Sequence, residues 1–326
     1  YRGLWIPNGE SAMYEEHLWN VLHGKGFRSY LDQGLFLGEH IQVIHLALIP
    51  LYVLWPSHLL LELAESFALA ITALPVYWIT RRHTHSERAA AWMSLAALMY
   101  FPLHYLDIAI DFKTFRPISF GVPLLMFAID QMERGRGGTM GVLFAATLMA
   151  KEDFAIVMAP LGMWLFLTQW RSRLRTRQPE VRAASGRLMI YGAATAVMAT
   201  IYLLLVVKVL IPWFRGGEVV HYARYFSRFG ETPTEIVSNM ATQPGLLLGE
   251  LFTAGTIVYA LRVLVPLGGA PLLSPTRLVV GAPLFVLLWS GAFAPVRAGP
   301  PYVRALSFLA ARFTVACLVL LALSLA

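Results

Sequence analysis

From residue 41 to the end of the chain, apolar stretches follow one another with little between them. They lie at about 41–55, 59–80, 89–106, 117–131, 139–150, 154–170, 187–213, 251–273, 276–294 and 303–326. A helix needs about 20 apolar residues to cross a bilayer, and only helices or closed barrels satisfy their own backbone polar groups there. The chain is 57% hydrophobic and 14% charged, against roughly 45–50% and about 25% in soluble domains. The pattern predicts an all-α, polytopic transmembrane helix bundle of about 8–10 membrane segments. Several segments are too short to cross alone. Residues 41–55 contain Pro50 and stop before Pro56, and 139–150 spans only a dozen residues. Such pieces are re-entrant, or are completed by flanking polar residues buried in protein.

The whole chain, 1–326, reads as one membrane-embedded domain. Residues 1–40 are mixed in character and broken by Gly24, Gly26, Gly34 and Gly38, which suits an outer loop with short helices. Residues 41–213 hold the core helices, 214–250 an outer interfacial segment, and 251–326 the C-terminal helices. The chain begins at Tyr1 without an initiator Met, so an N-terminal portion is expected before it. The single cysteine, Cys317, lies in an apolar run and reads as a packing residue. The net charge of +7 says where loops lie and gives no sign of a nucleic-acid partner.

Arginine orients the bundle. Arg81, Arg82 and Arg88 occupy one loop, Arg134 and Arg136 a second, and Arg171, Arg173, Arg175, Arg177, Arg182 and Arg187 a third. Basic loops stay cytoplasmic, and two apolar segments separate each from the next. Residues 1–40, 107–117, 151–153 and 214–250 then face outward. That assignment gathers Glu10, Glu15, Glu16, Asp32, Glu39, Asp107, Asp111, Glu152 and Asp153 on one side, with Lys25, Arg28, Lys113, Arg116 and Lys151. A mixed-charge face on an apolar bundle is what a membrane enzyme or polar-ligand site needs.

Lys151-Glu152-Asp153 interrupts apolar sequence on both sides. Charge at bilayer depth costs on the order of 2.5–3.5 kcal/mol on insertion scales, so the topology puts the triplet at an outer turn. There the acids can cap the helix that starts at Phe154. Alternatively, Lys151 holds an anion while Glu152 or Asp153 binds a hydroxyl or a metal. In Asp107-Ile-Ala-Ile-Asp111-Phe-Lys113-Thr-Phe-Arg116-Pro117 the two acids share a helical face, and Lys113 and Arg116 suit a phosphate. The bland reading is solvated charge, with Pro117 opening the next helix. His40 and His45 are poorly spaced for one metal, whereas Glu39 and His40 are adjacent. Glu39 and His40 are therefore the candidate metal ligands here; no cofactor is certain and a divalent cation is an option. Residues 217–244 carry His221, Tyr222, Arg224, Tyr225, Arg228, Glu231 and Glu235, which suits an interfacial helix, with Thr232-Pro233-Thr234-Glu235 as a helix start. No zinc spacing, P-loop, dinucleotide fingerprint or Gly-x-Ser-x-Gly elbow is present.

Several strings together resemble a large uncharacterised prokaryotic membrane-protein family, a domain of unknown function. Gly9-Glu10-Ser-Ala-Met-Tyr-Glu15-Glu16-His-Leu-Trp19-Asn20 resembles its acid-led segment ending in Gln-x-x-Trp-Asn. Glu39-His40-Ile-Gln-Val before Pro50-Leu-Tyr52 resembles its histidine motif before Pro-x-Tyr. Asp111-Phe-Lys113 resembles its Asp-Phe-His, and Lys151-Glu152-Asp153 its Lys-Glu-Asp. The likeness runs in order over roughly residues 9–290. Glu10 stands for the family's Asp, Glu16 for its Gln and Lys113 for its His.

That family is similar to the GT-C class of membrane glycosyltransferases, which take sugars from polyprenyl-phosphate carriers. The resemblance implies a GT-C-like bundle in a prokaryotic inner membrane with its site on the outer face. It implies a helix before Glu10 and partners that are membrane lipids and a polyprenyl-phosphate-linked sugar. Glu10 becomes the catalytic candidate, as base or metal-binding acid. His40, Asp111, Lys113, Arg116, Lys151, Glu152 and Asp153 become substrate-binding candidates. The competing reading is a transporter or non-catalytic membrane scaffold. A polar path would draw on Glu62 and Glu65, three residues apart on one helix face, while Asp130 and Lys208 are expected near helix ends, snorkelling.

Overall fold

Arginine-bearing turns fold the apolar segments into antiparallel helical hairpins. The computed structural model describes residues 10–29, 34–100, 115–218, 226–265 and 272. Helix α1 spans Glu10–Leu22 and is followed by a two-residue antiparallel pair, β1 (Arg28–Ser29) with β2 (Gly34–Leu35). One 3-10 turn covers Phe36–Gly38 and another Ile44–Leu48, leading into α2, Ile49–Leu54. Then come α3 (His58–Ile71), α4 (Ala73–Thr84), α5 (Glu87–Leu98) and α6 (Ile118–Glu133). After these follow α7 (Gly137–Ala150), α8 (Phe154–Arg175) and α9 (Pro179–Leu205). The last elements are a π-helical turn, Val206–Leu210, then α10 (Ile211–Phe214), α11 (Pro233–Thr242), α12 (Pro244–Leu251) and α13 (Ala254–Leu264).

Local chemistry sets these boundaries. Ser57 caps α3 by accepting from the Leu59 N–H, and Ser86 caps α5 by accepting from the Ala89 N–H. His85 ends α4 at φ 52, a left-handed position that asparagine or glycine more often fills. Thr232 and Glu235 form a reciprocal capping box at the helix start expected there. Pro117 lies one residue earlier than predicted, flanking α6 rather than opening it.

Among the described residues, two continuous segments are long and apolar enough to cross a membrane, His58–Thr84 (α3 with α4) and Pro179–Phe214 (α9 to α10). The remaining helices are shorter or more polar than expected of independent spans. With 16 residues α6 measures about 24 Å, below the ~30 Å of hydrocarbon. Many apolar side chains point outward, among them Leu54, Val142, Leu174, Ile190, Met198 and Trp213. Lipid tails solvate such a surface without penalty. The fold is therefore mostly helical, with one short strand pair in the loop that follows α1. The expected segments 276–294 and 303–326 lie outside the described residues.

Three apolar clusters bind the helices. Ala128, Met132, Phe144, Phe154, Met158, Leu165 and Ala199 pack α6 to α9 together. Met13, Tyr14, Leu18, Tyr52, Leu60, Leu61 and Phe115 join α1, α2 and α3. Val206 and Ile211 pack with Phe229 and Ile236. The α8–α9 hairpin is closest of all. A Cβ on Gly162 would lie 2.5 Å from the Ala196 nitrogen, and one on Gly192 would lie 2.6 Å from the Phe166 nitrogen. Backbone meets backbone there, which only glycine permits.

The bundle has two chemically different ends. At the arginine end, Asp130 is fully buried. It accepts from Arg82 at 2.9 Å, Arg134 Nε at 2.7 Å and Gln131 Nε2 at 2.8 Å. Glu133 accepts from Arg82 at 2.7 Å and contacts His83 at 3.0 Å. Asp130 therefore does not snorkel. It is the centre of a clasp between the α4–α5 and α6–α7 hairpins, because its neighbours bring the counter-charges to it. Lys208 is exposed near the end of its helix, as expected. At the opposite end lie α1, the starts of α3, α6 and α8, and the turn at 151–153.

Gly162→Val is expected to destabilise by about 1–3 kcal/mol through overpacking. Thermal unfolding of the purified protein in detergent measures it, with the exposed Gly138→Ala as a control that leaves the midpoint unchanged. A second expectation concerns α1, whose fully buried His17 stacks on Phe27 with ring centroids 4.5 Å apart. Burial lowers the His17 pKa from 6.5 to about 4, against the pull of Glu16. Between those values the unfolded chain binds a proton that the fold excludes. Stability is then complete above pH 6.5 and falls as the pH drops to 4, by up to about 3 kcal/mol. Urea unfolding across that range in detergent shows the slope, and His17→Phe reduces it, leaving the part due to the buried His45, whose pKa burial lowers to about 3.

Candidate functional site

The polar residues of the end opposite the arginine-rich turns come from several elements. Helix α7 ends at Ala150, and its last carbonyls are taken from outside the helix. The Val43 N–H donates to the Met149 oxygen at 2.9 Å, and the Tyr202 hydroxyl donates to the Leu148 oxygen at 3.3 Å. Lys151 is extended, so the chain leaves the helix and turns at once into α8. The carbonyls of Lys151, Glu152 and Asp153 accept from the N–H groups of Phe154, Ala155 and Ile156. That turn leaves all three charged side chains available for other work.

Capping by the acids, one expectation for this triplet, is not what occurs. Asp153 has helical backbone angles and its side chain makes no capping bond; it pairs instead with Lys151 Nζ at 2.6 Å. Glu152 turns inward and has no exposed surface. One of its oxygens meets His40 Nδ1 at 2.7 Å, and the other accepts from the Ile41 backbone N–H at 3.0 Å. Residues 112 apart in sequence are thereby joined. Burial alone would push the Glu152 carboxyl up, but His40 and Lys151 outweigh it and hold the group below the usual carboxylate range. Burial likewise works against the Lys151 ammonium, and Asp153 and Glu152 reverse that and keep it charged.

Arg116 stands within electrostatic reach of Lys151, and its backbone N–H donates to Glu65 Oε2 at 3.3 Å. Glu65 is buried and also accepts from the Ser119 hydroxyl. This carboxylate ties α3 to the start of α6. Helix α1 closes the group from another side. The Tyr14 hydroxyl donates to Gln42 Oε1 at 2.8 Å, Ser11 to Glu62 at 3.4 Å, and Tyr52 to Glu15 at 3.1 Å. Beside this seam the buried His45 packs edge-on to Tyr14, at 5.1 Å between centroids, and 5.6 Å from His17.

Of the candidates, His40, Lys151, Glu152 and Asp153 come together, with Arg116 nearby. Glu10 heads α1 at the same end of the bundle. Asp107, Asp111 and Lys113 lie outside the described residues, as do His221 to Tyr225. Glu39 is exposed, and no group of three or more potential metal ligands forms among the described residues. Gln42, Tyr14 and Tyr202 escaped the sequence reading, because uncharged polar residues in apolar segments carry no spacing that marks them. The regular alternation of hairpins was the one usable hint, since it puts residues near 40 and 150 at one end.

Glu152→Ala is expected to destabilise by about 3–5 kcal/mol, because it leaves the buried ends of His40 and the Ile41 N–H without their partner. Exposed Glu180→Ala stays within about 0.5 kcal/mol. Chemical unfolding in detergent compares the two directly.

No curated protein and no solved structure matches the chain. A family model, DUF2079, described as a predicted membrane protein, matches residues 10–316. It begins at the first residue of α1 and takes in the His40 segment, the 151–153 turn and every hairpin described above. The chain belongs to the DUF2079 family of predicted membrane proteins.

Proposed function

We propose that this membrane protein is a glycosyltransferase of the GT-C kind. In this reading it moves a sugar from a polyprenyl-phosphate donor to an acceptor at the outer face of the prokaryotic inner membrane. The observation that carries the reading is the cluster at the end opposite the arginine turns, where His40–Glu152 and Lys151–Asp153 sit beside Arg116 and below α1. Transfer from a lipid phosphate needs cations where the phosphate leaves and a carboxylate or base where the acceptor binds. Lys151 and Arg116 meet the first need, with Lys113 as a further cation. Glu10 meets the second as the acid that orients the acceptor, with Asp153 beside Lys151 and Asp111 as a further substrate-binding candidate. A divalent cation at Glu10, Glu39 and His40 is not required by this scheme.

Arginine-rich turns at one end favour placing that end in the cytoplasm, which gives the cluster the outer face. A carrier whose phosphate lies at the headgroup level then reaches Lys151 without leaving the membrane. The transporter reading rests on Glu62 and Glu65. Glu65 is already engaged by Ser119 and the Arg116 backbone, and Glu62 accepts from Ser11, so both acids have structural employment near the bundle end.

The test uses the full chain in nanodiscs with a radiolabelled undecaprenyl-phosphate hexose, following label released from the organic phase. Wild type is expected to release it. Glu10→Gln is expected to lose at least 100-fold, as when a group that orients a reactant is misplaced, while its expression and topology stay as in wild type. Lys151→Ala is expected to raise KM for the donor. A wild type that leaves every lipid-phosphate hexose untouched, or a fully active Glu10→Gln, rejects the proposal.

A further inference from the structure

Glu152 is arranged around His40 more closely than a packing contact requires. Its carboxylate has no exposed surface, and both oxygens are committed to a single short segment. One oxygen holds His40 Nδ1 at 2.7 Å, and the other holds the next backbone N–H, that of Ile41, at 3.0 Å. The first contact fixes the ring and the second fixes the chain that carries it. The His40 side chain is 22% exposed, so the imidazole reaches from a buried anion toward the surface of the cluster. With a carboxylate at Nδ1, the proton of the neutral ring belongs on Nδ1, and Nε2 is the basic nitrogen. The carboxylate thus fixes which nitrogen of the ring is left to face the cluster.

We propose that His40 is the proton-accepting catalytic residue of this site, that Glu152 is its positioning residue, and that the acceptor class is therefore a hydroxyl. This rests on the sugar-transfer reading above and assigns its proton step. The acceptor oxygen forms a bond to the sugar anomeric carbon while the bond from that carbon to the phosphate oxygen breaks. The electron pair of the broken bond leaves with the polyprenyl phosphate, beside Lys151 and Arg116. The acceptor proton passes to His40 Nε2 and is later released to water. Charge balances at each stage, because the imidazolium gained faces the Glu152 carboxylate. Glu10 orients the hydroxyl and keeps no proton.

The label-release assay in nanodiscs tests the assignment with three variants. His40→Ala is expected to fall by about 10²–10⁴-fold, the usual span for a positioned general base. Added imidazole is expected to restore at least tenfold, in proportion to its unprotonated fraction. Glu152→Gln, nearly isosteric, is expected to lower kcat with little change in KM. His40→Gln provides the same comparison where His40→Ala folds poorly. A His40→Ala enzyme within threefold of wild type overturns the assignment. So does a loss that imidazole leaves unrelieved, or a Glu152→Gln enzyme whose kcat is unchanged. An inactive wild type rejects the transfer reading and this inference with it, whereas an active wild type indifferent to His40 rejects only the inference.

Discussion

Burying a charge inside an apolar bundle is tolerable only where partners are close enough to replace water. Glu152 illustrates how much structure that demand organises. Its carboxylate holds the segment at 40–41 against the turn between α7 and α8. The same turn is fixed from below, where Val43 and Tyr202 take the last carbonyls of α7. A loop and two hairpins thus share one small polar knot. Were it replaced by apolar side chains, the helices would still pack, but the loop that carries His40 would have no fixed position.

Asp130 meets the same demand at the other end with a different result. Its partners are arginines on neighbouring turns, and the outcome is a clasp between hairpins whose groups are mutually neutralised. At the Glu152 end the partners are a histidine and a lysine, and the outcome is a loop held against a turn. Both ends bury an acid.

Much of the architecture was legible in the chain itself. The arginine turns at 81–88, 134–136 and 171–187 predict hairpins, and helices α4 to α9 form them. The capping box at Thr232–Glu235 was readable because capping depends on neighbours in sequence. Capping by Asp153 was predicted on the same grounds and did not occur, since Lys151 lies close enough to take its carboxylate. Asp130 was expected to reach for water, and its burial followed from Arg82, which lies 48 residues away. Such errors share a cause: a charge chooses among all partners in reach, and sequence displays only the adjacent ones.

Composition and periodicity by themselves determined that this chain is helical, suits a membrane and gathers the arginine-rich turns at 81–88, 134–136 and 171–187 at one end, because hydrophobic burial and helix geometry are local properties summed along the chain. They also marked 151–153 as exceptional. Only the tertiary structure decided that Glu152 turns inward to His40, that Asp153 turns to Lys151, and that Glu65 holds the start of α6. Those choices depend on distances of about 3 Å between residues far apart in sequence. Electrostatic energy in a low-dielectric interior falls steeply enough with separation that nothing short of the folded arrangement can assign it.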